Sequence, residues 1–192
     1  ETIEVRSEMV IKNENETALK KLLFNLNSGL TISGIKINGQ ETPFTREKHL
    51  VFISENTPLE PNMEARVEFN YSGKIEEALC YLDIDEETIQ EKYGKFVLNV
   101  DKRYAFLTPQ YVLLTPEANW YPRTGVTYSS EDVSWVHNQF VNYNLKVTTT
   151  PGLQAISQGK INEVSPGQFT FENEHPLTQL SVAIGNYEYL KW

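Results

Sequence analysis

The residues of this 192-residue chain best suited to hold a metal are His49, His137 and His175, and their spacing argues against it. Zinc hydrolysis needs ligands that converge, and two histidines one helical turn apart, as in H-E-x-x-H, achieve that with the least chain. No two histidines here stand four residues apart, so they read as surface or strand-end side chains. DIDEETIQEKYG, residues 83–94, has the length of a calcium loop. However, Thr88 sits where the sharp turn needs glycine, and Gly94 where the bidentate glutamate belongs. A solvated acidic face is the better reading. Cys80 has no neighbouring histidine or basic residue to lower its pKa, and no G-x-S-x-G turn offers a serine nucleophile. No catalytic residue and no metal ligand set is therefore expected in this chain.

One stretch remains, LLTPEANWYPRTG at 113–125. Pro116 and Pro122 bracket Trp120 and Tyr121, with Glu117 and Arg123 beside them. Prolines break regular structure while the aromatic rings are costly to leave in water. Three readings stay open. The rings pack under a sheet edge; or Pro116, Trp120, Tyr121, Pro122 and Arg123 form a domain interface, where aromatics are favoured; or Glu117 meets a ligand.

The elements that must position this loop are strands. ARVEFNY alternates Val67, Phe69 and Tyr71 with Arg66, Glu68 and Asn70, as a half-buried strand requires. VNYNLKV repeats the pattern, and KKLLFNLN, GIKING and GQFTFEN carry weaker versions. Asn38–Gly39, Ser72–Gly73, Pro151–Gly152 and Ser165–Pro166–Gly167 punctuate them as turns. The expectation is a mainly β chain, an antiparallel β-sandwich or saddle-like sheet, forming a single domain over 1–192. Residues 75–94, rich in glutamate and poor in β-branched residues, are expected to be a short helical or irregular insertion.

Composition narrows the partners. Seventeen basic against twenty-six acidic side chains give a formal charge of −9, which repels phosphate backbones, so no nucleic-acid partner is expected. The single cysteine excludes an internal disulfide. No apolar run approaches the roughly 20 residues needed to span a bilayer. The opening ETIEVRSEMV lacks both an initiator methionine and a signal-peptide pattern, and reads as a mature or excised piece. Asn15-Glu16-Thr17 and Asn70-Tyr71-Ser72 match the glycosylation tripeptide, a pattern that also arises often by chance.

HPLTQLSVAIGNYEYL, residues 175–190, resembles the closing strand of the amino-terminal domain in the aminopeptidase N family of zinc gluzincin metallopeptidases. Gly185, Asn186 and Tyr187 stand at its characteristic end. NYNLKVTTTPGLQAISQGKI resembles the family's preceding strand, turn and strand through Pro151, Gly152, Ser157 and Gly159. KKLLFNLNSGLTISGIKINGQ is similar to its opening pattern and ends on Asn38–Gly39. The likeness runs over most of the chain, with 75–94 the least similar part.

This resemblance implies a non-catalytic β domain that packs on a zinc-bearing catalytic domain downstream of residue 192 and shapes the rim of the substrate site. No cofactor is expected in the fragment. Peptide substrate is a partner only in the full-length protein, where zinc would activate the water that cleaves at the free amino end. In the family, an acidic residue of the corresponding loop helps hold the substrate's amino group. Pro116, Ala118, Tyr121 and Pro122 resemble that frame, but the spacing is shorter, Thr115 precedes the proline, and no arginine follows Ala118. Glu117 is the candidate left for the amine or rim. Family members occur in the cytoplasm, the periplasm and on membranes, and a bacterial periplasmic or membrane-associated parent is preferred here.

Two alternatives use the same residues differently. A free-standing carbohydrate- or protein-binding sandwich would present Trp120, Tyr121, Tyr128 and Trp135 as an aromatic platform. An inactive peptidase homologue would keep the domain as a scaffold.

Overall fold

The computed structural model describes residues 1–77, 105–125 and 139–187. The expected insertion therefore lies almost wholly outside the described residues, as do Cys80, Tyr128, Trp135 and His137. In chain order the strands begin with β1 (Ile3–Lys12), β2 (Leu19–Asn25), β3 (Leu30–Ile37), β4 (Gln40–Glu41) and β5 (Phe44–Glu47). They continue with β6 (Leu50–Leu59), β7 (Glu64–Gly73), β8 (Ala105–Leu107), β9 (Val112–Leu114) and β10 (Arg123–Thr124). The last are β11 (Asn144–Thr148), β12 (Gln154–Ser157), β13 (Lys160–Ser165), β14 (Gln168–Glu172) and β15 (Val182–Gly185). All pairings are antiparallel, and the chain is mainly β as the alternation required.

These strands fall into two compact units. The first holds sheets β1-β7-β3-β4 and β10-β2-β6-β5. Along β7, Ala65, Val67, Phe69 and Tyr71 point inward and are buried, while Glu64 and Arg66 stay in water. They meet Leu22, Phe24, Val51 and Ile53 from the other sheet, so the unit is a sandwich around one core. Phe24 of β2 and Phe69 of β7 touch edge to face, with centroids 5.0 Å apart and planes at 72°. Asn38 and Gly39 both take positive φ, 50° and 83°, the backbone a two-residue hairpin needs between β3 and β4. The outer face of β1 and β7 is charged. Glu8 and Glu68 stand directly opposite each other, and diagonal bonds from Arg66 to Glu8 (2.7 Å) and from Arg6 to Glu68 (2.9 Å) neutralise them.

The second unit holds the three-stranded sheet β11-β14-β13 and the four-stranded sheet β12-β15-β9-β8. Its core joins Phe169 and Phe171 of β14 with Ala155 of β12, flanked by Leu145, Val147 and Ile184. Gly167 turns the chain between β13 and β14 at φ 77°, and a Cβ there would lie 2.6 Å from the Thr149 carbonyl oxygen. No bulkier residue fits that approach. Strands β8 and β9 read AFL and VLL, apolar without alternation, which is why periodicity did not reveal them.

Candidate functional site

The 113–125 loop starts where β9 ends. Thr115 offers its carbonyl to the Ala118 N–H at 3.1 Å, closing a 3-10 turn over Pro116–Ala118. Proline at its start loses no needed donor. Pro116 and Ala118 are buried, which leaves Glu117 as the half-exposed side chain of the turn. Its carboxylate has no hydrogen-bond or ion-pair partner among the described residues.

From Asn119 onward the loop belongs to the first unit. Asn119 adopts the left-handed conformation, φ 48°, in a buried position, an arrangement asparagine tolerates better than most residues. Its carbonyl accepts the Asn27 N–H at 2.9 Å, and the next carbonyl, of Trp120, accepts the Tyr71 hydroxyl at 3.0 Å. Beyond Tyr121 the chain pairs with β2 through Arg123–Asn25 and Thr124–Phe24. The Gly125 N–H then donates to Leu23.

The aromatic rings are interior. Trp120 is 4% and Tyr121 8% exposed, packed edge to face at 5.0 Å, and Pro122 is buried beside them. Of the residues singled out in this loop, Glu117 and Arg123 are half-buried and the others are buried. Trp120 and Tyr121 therefore lie in the interior rather than on a surface platform, and the other two rings of that platform lie outside the described residues. Two buried polar atoms, Trp120 Nε1 and Asn119 Oδ1, have no partner among the described residues. Burial, and secondarily the nearby Tyr121, pushes the Tyr71 hydroxyl well above the usual tyrosine range.

Sequence reading missed Asn27 and Tyr71 as the groups that hold the loop. Asn27 carried one local signal, a short polar residue two before Gly29. Its side chain accepts the Gly29 N–H at 3.0 Å, accepts the Glu76 N–H at 2.8 Å and donates to the Glu76 carbonyl at 3.0 Å.

Elsewhere, His175 borders a shallow depression of about 400 Å³ together with Lys160 and Asn173. No three His, Cys, Asp or Glu side chains gather to hold a metal among the described residues. These residues do not fit a zinc site.

The fold is that of a domain found in M1 zinc metallopeptidases. The M1 zinc metallopeptidase from Deinococcus radiodurans superposes with a TM-score of 0.67 at 15% identity, over 95% of this chain and 37% of that one. Native leukotriene A4 hydrolase from Saccharomyces cerevisiae superposes with a TM-score of 0.61 at 10% identity, over 99% of this chain and 27% of that one. The chain thus spans well under half the length of the structures it matches. No protein-family model and no curated protein sequence matches it.

Proposed function

We propose that residues 1–192 act as one non-catalytic amino-terminal domain of an aminopeptidase-like zinc metallopeptidase. In this reading the domain packs on a catalytic domain of the same parent chain and shapes the rim of its substrate site. The observation that carries it is the coverage: almost the whole chain matches 37% of an M1 enzyme, and the remainder of that enzyme has no counterpart here. Zinc then belongs to the catalytic domain of the parent. Glu117 is the residue offered to the substrate's amino group, because its half-exposed carboxylate has no partner among the described residues. Variants of a two-domain M1 zinc metallopeptidase have been crystallised with L-arginine and with L-tryptophan, ligands that present a free amino group. Arg123, the other half-buried residue singled out in the loop, is assigned to the domain contact, together with the Pro116–Pro122 main chain. For the parent, a bacterial periplasmic or membrane-associated location is favoured over a cytoplasmic one as part of this proposal.

The test uses the full-length parent and aminoacyl-p-nitroanilides, with and without a chelator. Chelator-sensitive hydrolysis, with KM rising about tenfold or more in Glu117→Ala, supports the reading. Hydrolysis untouched by the substitution removes Glu117 from the site. A parent without hydrolysis turns the domain into a scaffold or binding module.

A further inference from the structure

Arg46 brings a cation into the first unit without a carboxylate to meet it. The side chain is half buried, and burial lowers its pKa below the ordinary arginine value. Among the described residues no acidic group lies within ion-pair distance of it. Its N–H groups go instead to main-chain carbonyls: Nε to Lys48 at 2.7 Å, Nη1 to Leu30 at 2.5 Å, and Nη2 to Leu26 at 2.9 Å and Asn27 at 2.6 Å. Two of these four carbonyls, of Leu26 and Asn27, belong to the connection between β2 and β3, and a third, of Leu30, opens β3. Only a planar guanidinium has enough donors, in a fixed fork, to hold them together. Partial desolvation of the charge is offset by the charge-assisted bonds it makes.

The connection that Arg46 gathers includes Asn27, and Asn27 is bonded onward. Its N–H meets the Asn119 carbonyl at 2.9 Å, and the Leu26 carbonyl of that same peptide accepts Arg46 Nη2, so one peptide lies between the guanidinium and the candidate loop. Asn119 is held in a left-handed backbone well, a conformation that persists where its surroundings over-determine it. The next carbonyl, of Trp120, is taken by Tyr71. Two successive carbonyls of the loop are therefore fastened by one unit, and Arg46 secures the first fastening from behind.

We propose that Arg46 is a positioning residue. Acting through Asn27, it sets the Asn119–Trp120 main chain. On the reading given under Proposed function, this is the main chain that directly follows the residues carrying Glu117. Arg46 touches neither substrate nor metal.

Two measurements test this. Amide exchange in the full chain is compared for the wild type, Arg46→Gln and Arg46→Lys. The expected result is exchange about tenfold faster at the Asn27 amide in both variants, with Val67 and Phe69 in β7 unchanged. Unchanged Asn27 exchange, or a parallel rise at Val67 and Phe69, overturns the proposal. In the parent, Arg46→Gln should raise KM severalfold with kcat held within about twofold, and should add nothing in a Glu117→Ala background. If Glu117→Ala raises KM but Arg46→Gln does not, the link from Arg46 to the site fails. A KM indifferent to Glu117→Ala sinks the amine reading instead, and the amide exchange alone then decides on Arg46.

Discussion

The Tyr71 hydroxyl donates a buried 3.0 Å hydrogen bond to the main-chain carbonyl of Trp120, 49 residues further along the chain. Tyr71 is an inward residue of β7 by its place in the alternation, and its ring belongs to the sandwich core. The same side chain thus fills the core and ties down the loop, as a tyrosine with an apolar body and one polar atom can.

Tyr71→Phe should keep the core volume but leave the Trp120 carbonyl without its donor, at a cost of about 1–3 kcal/mol. The pH dependence gives a second signature. The folded-state pKa of Tyr71 is raised, so its contribution is fully present below the unfolded tyrosine value of about 10 and falls away as pH climbs past it. Chemical denaturation between pH 7 and 11 should show wild-type stability dropping above about pH 10, with a shallower drop in Tyr71→Phe. Equal slopes would contradict this account.

Asn27→Ala removes the amide that satisfies Gly29 N–H and both main-chain groups of Glu76. Several main-chain groups lose their partners at once, so the loss should reach about 2–4 kcal/mol, read as a lower denaturant midpoint. A loss below about 0.5 kcal/mol, the range of an ordinary surface change, would mean water replaces the side chain without penalty.

Arg66→Ala exposes the repulsion built into the β1–β7 face. With its diagonal partner gone, Glu8 faces Glu68 directly across the ladder. The pair is solvent-exposed, so the cost should stay near or below about 1 kcal/mol and shrink as added salt screens it. Thermal melts at low and at about 1 M salt check both sign and screening. A cost that salt leaves unchanged would point to lost packing by the arginine stem instead.

Phe171→Ala empties the middle of the second unit's core, where Phe171 is 1% exposed beside Phe169 and Ala155. A cavity of that kind costs about 3–5 kcal/mol. Amide exchange should quicken first in β11, β12, β14 and β15, whose inward residues line that core. Faster exchange in β7 ahead of these strands would count against the assignment.

Much of the fold could be read along the chain. Alternation at Val67, Phe69 and Tyr71 located β7 and its buried face, and Asn38–Gly39 and Pro166–Gly167 marked turns that both formed. VNYNLKV was legible only in part, since the strand begins at Asn144 and Val141 makes an isolated bridge to Leu177. The loop at 113–125 stood out by composition, yet the interior placement of Trp120 and Tyr121 did not, because their types suit a core and an interface equally well.

What the sequence by itself determined was local. A strand's two faces follow from a side-chain period of two, and a turn follows from which residues tolerate positive φ. Neither needs knowledge of distant positions. Tertiary structure alone decided which groups hold the candidate loop. Arg46 reaches Asn27, Asn27 reaches Asn119, and Tyr71 reaches Trp120 only after two sheets have stacked around Phe24 and Phe69. Hydrogen bonds between segments remote in sequence leave no periodic trace, because their partners are set by the packing of whole sheets and not by the residues beside them.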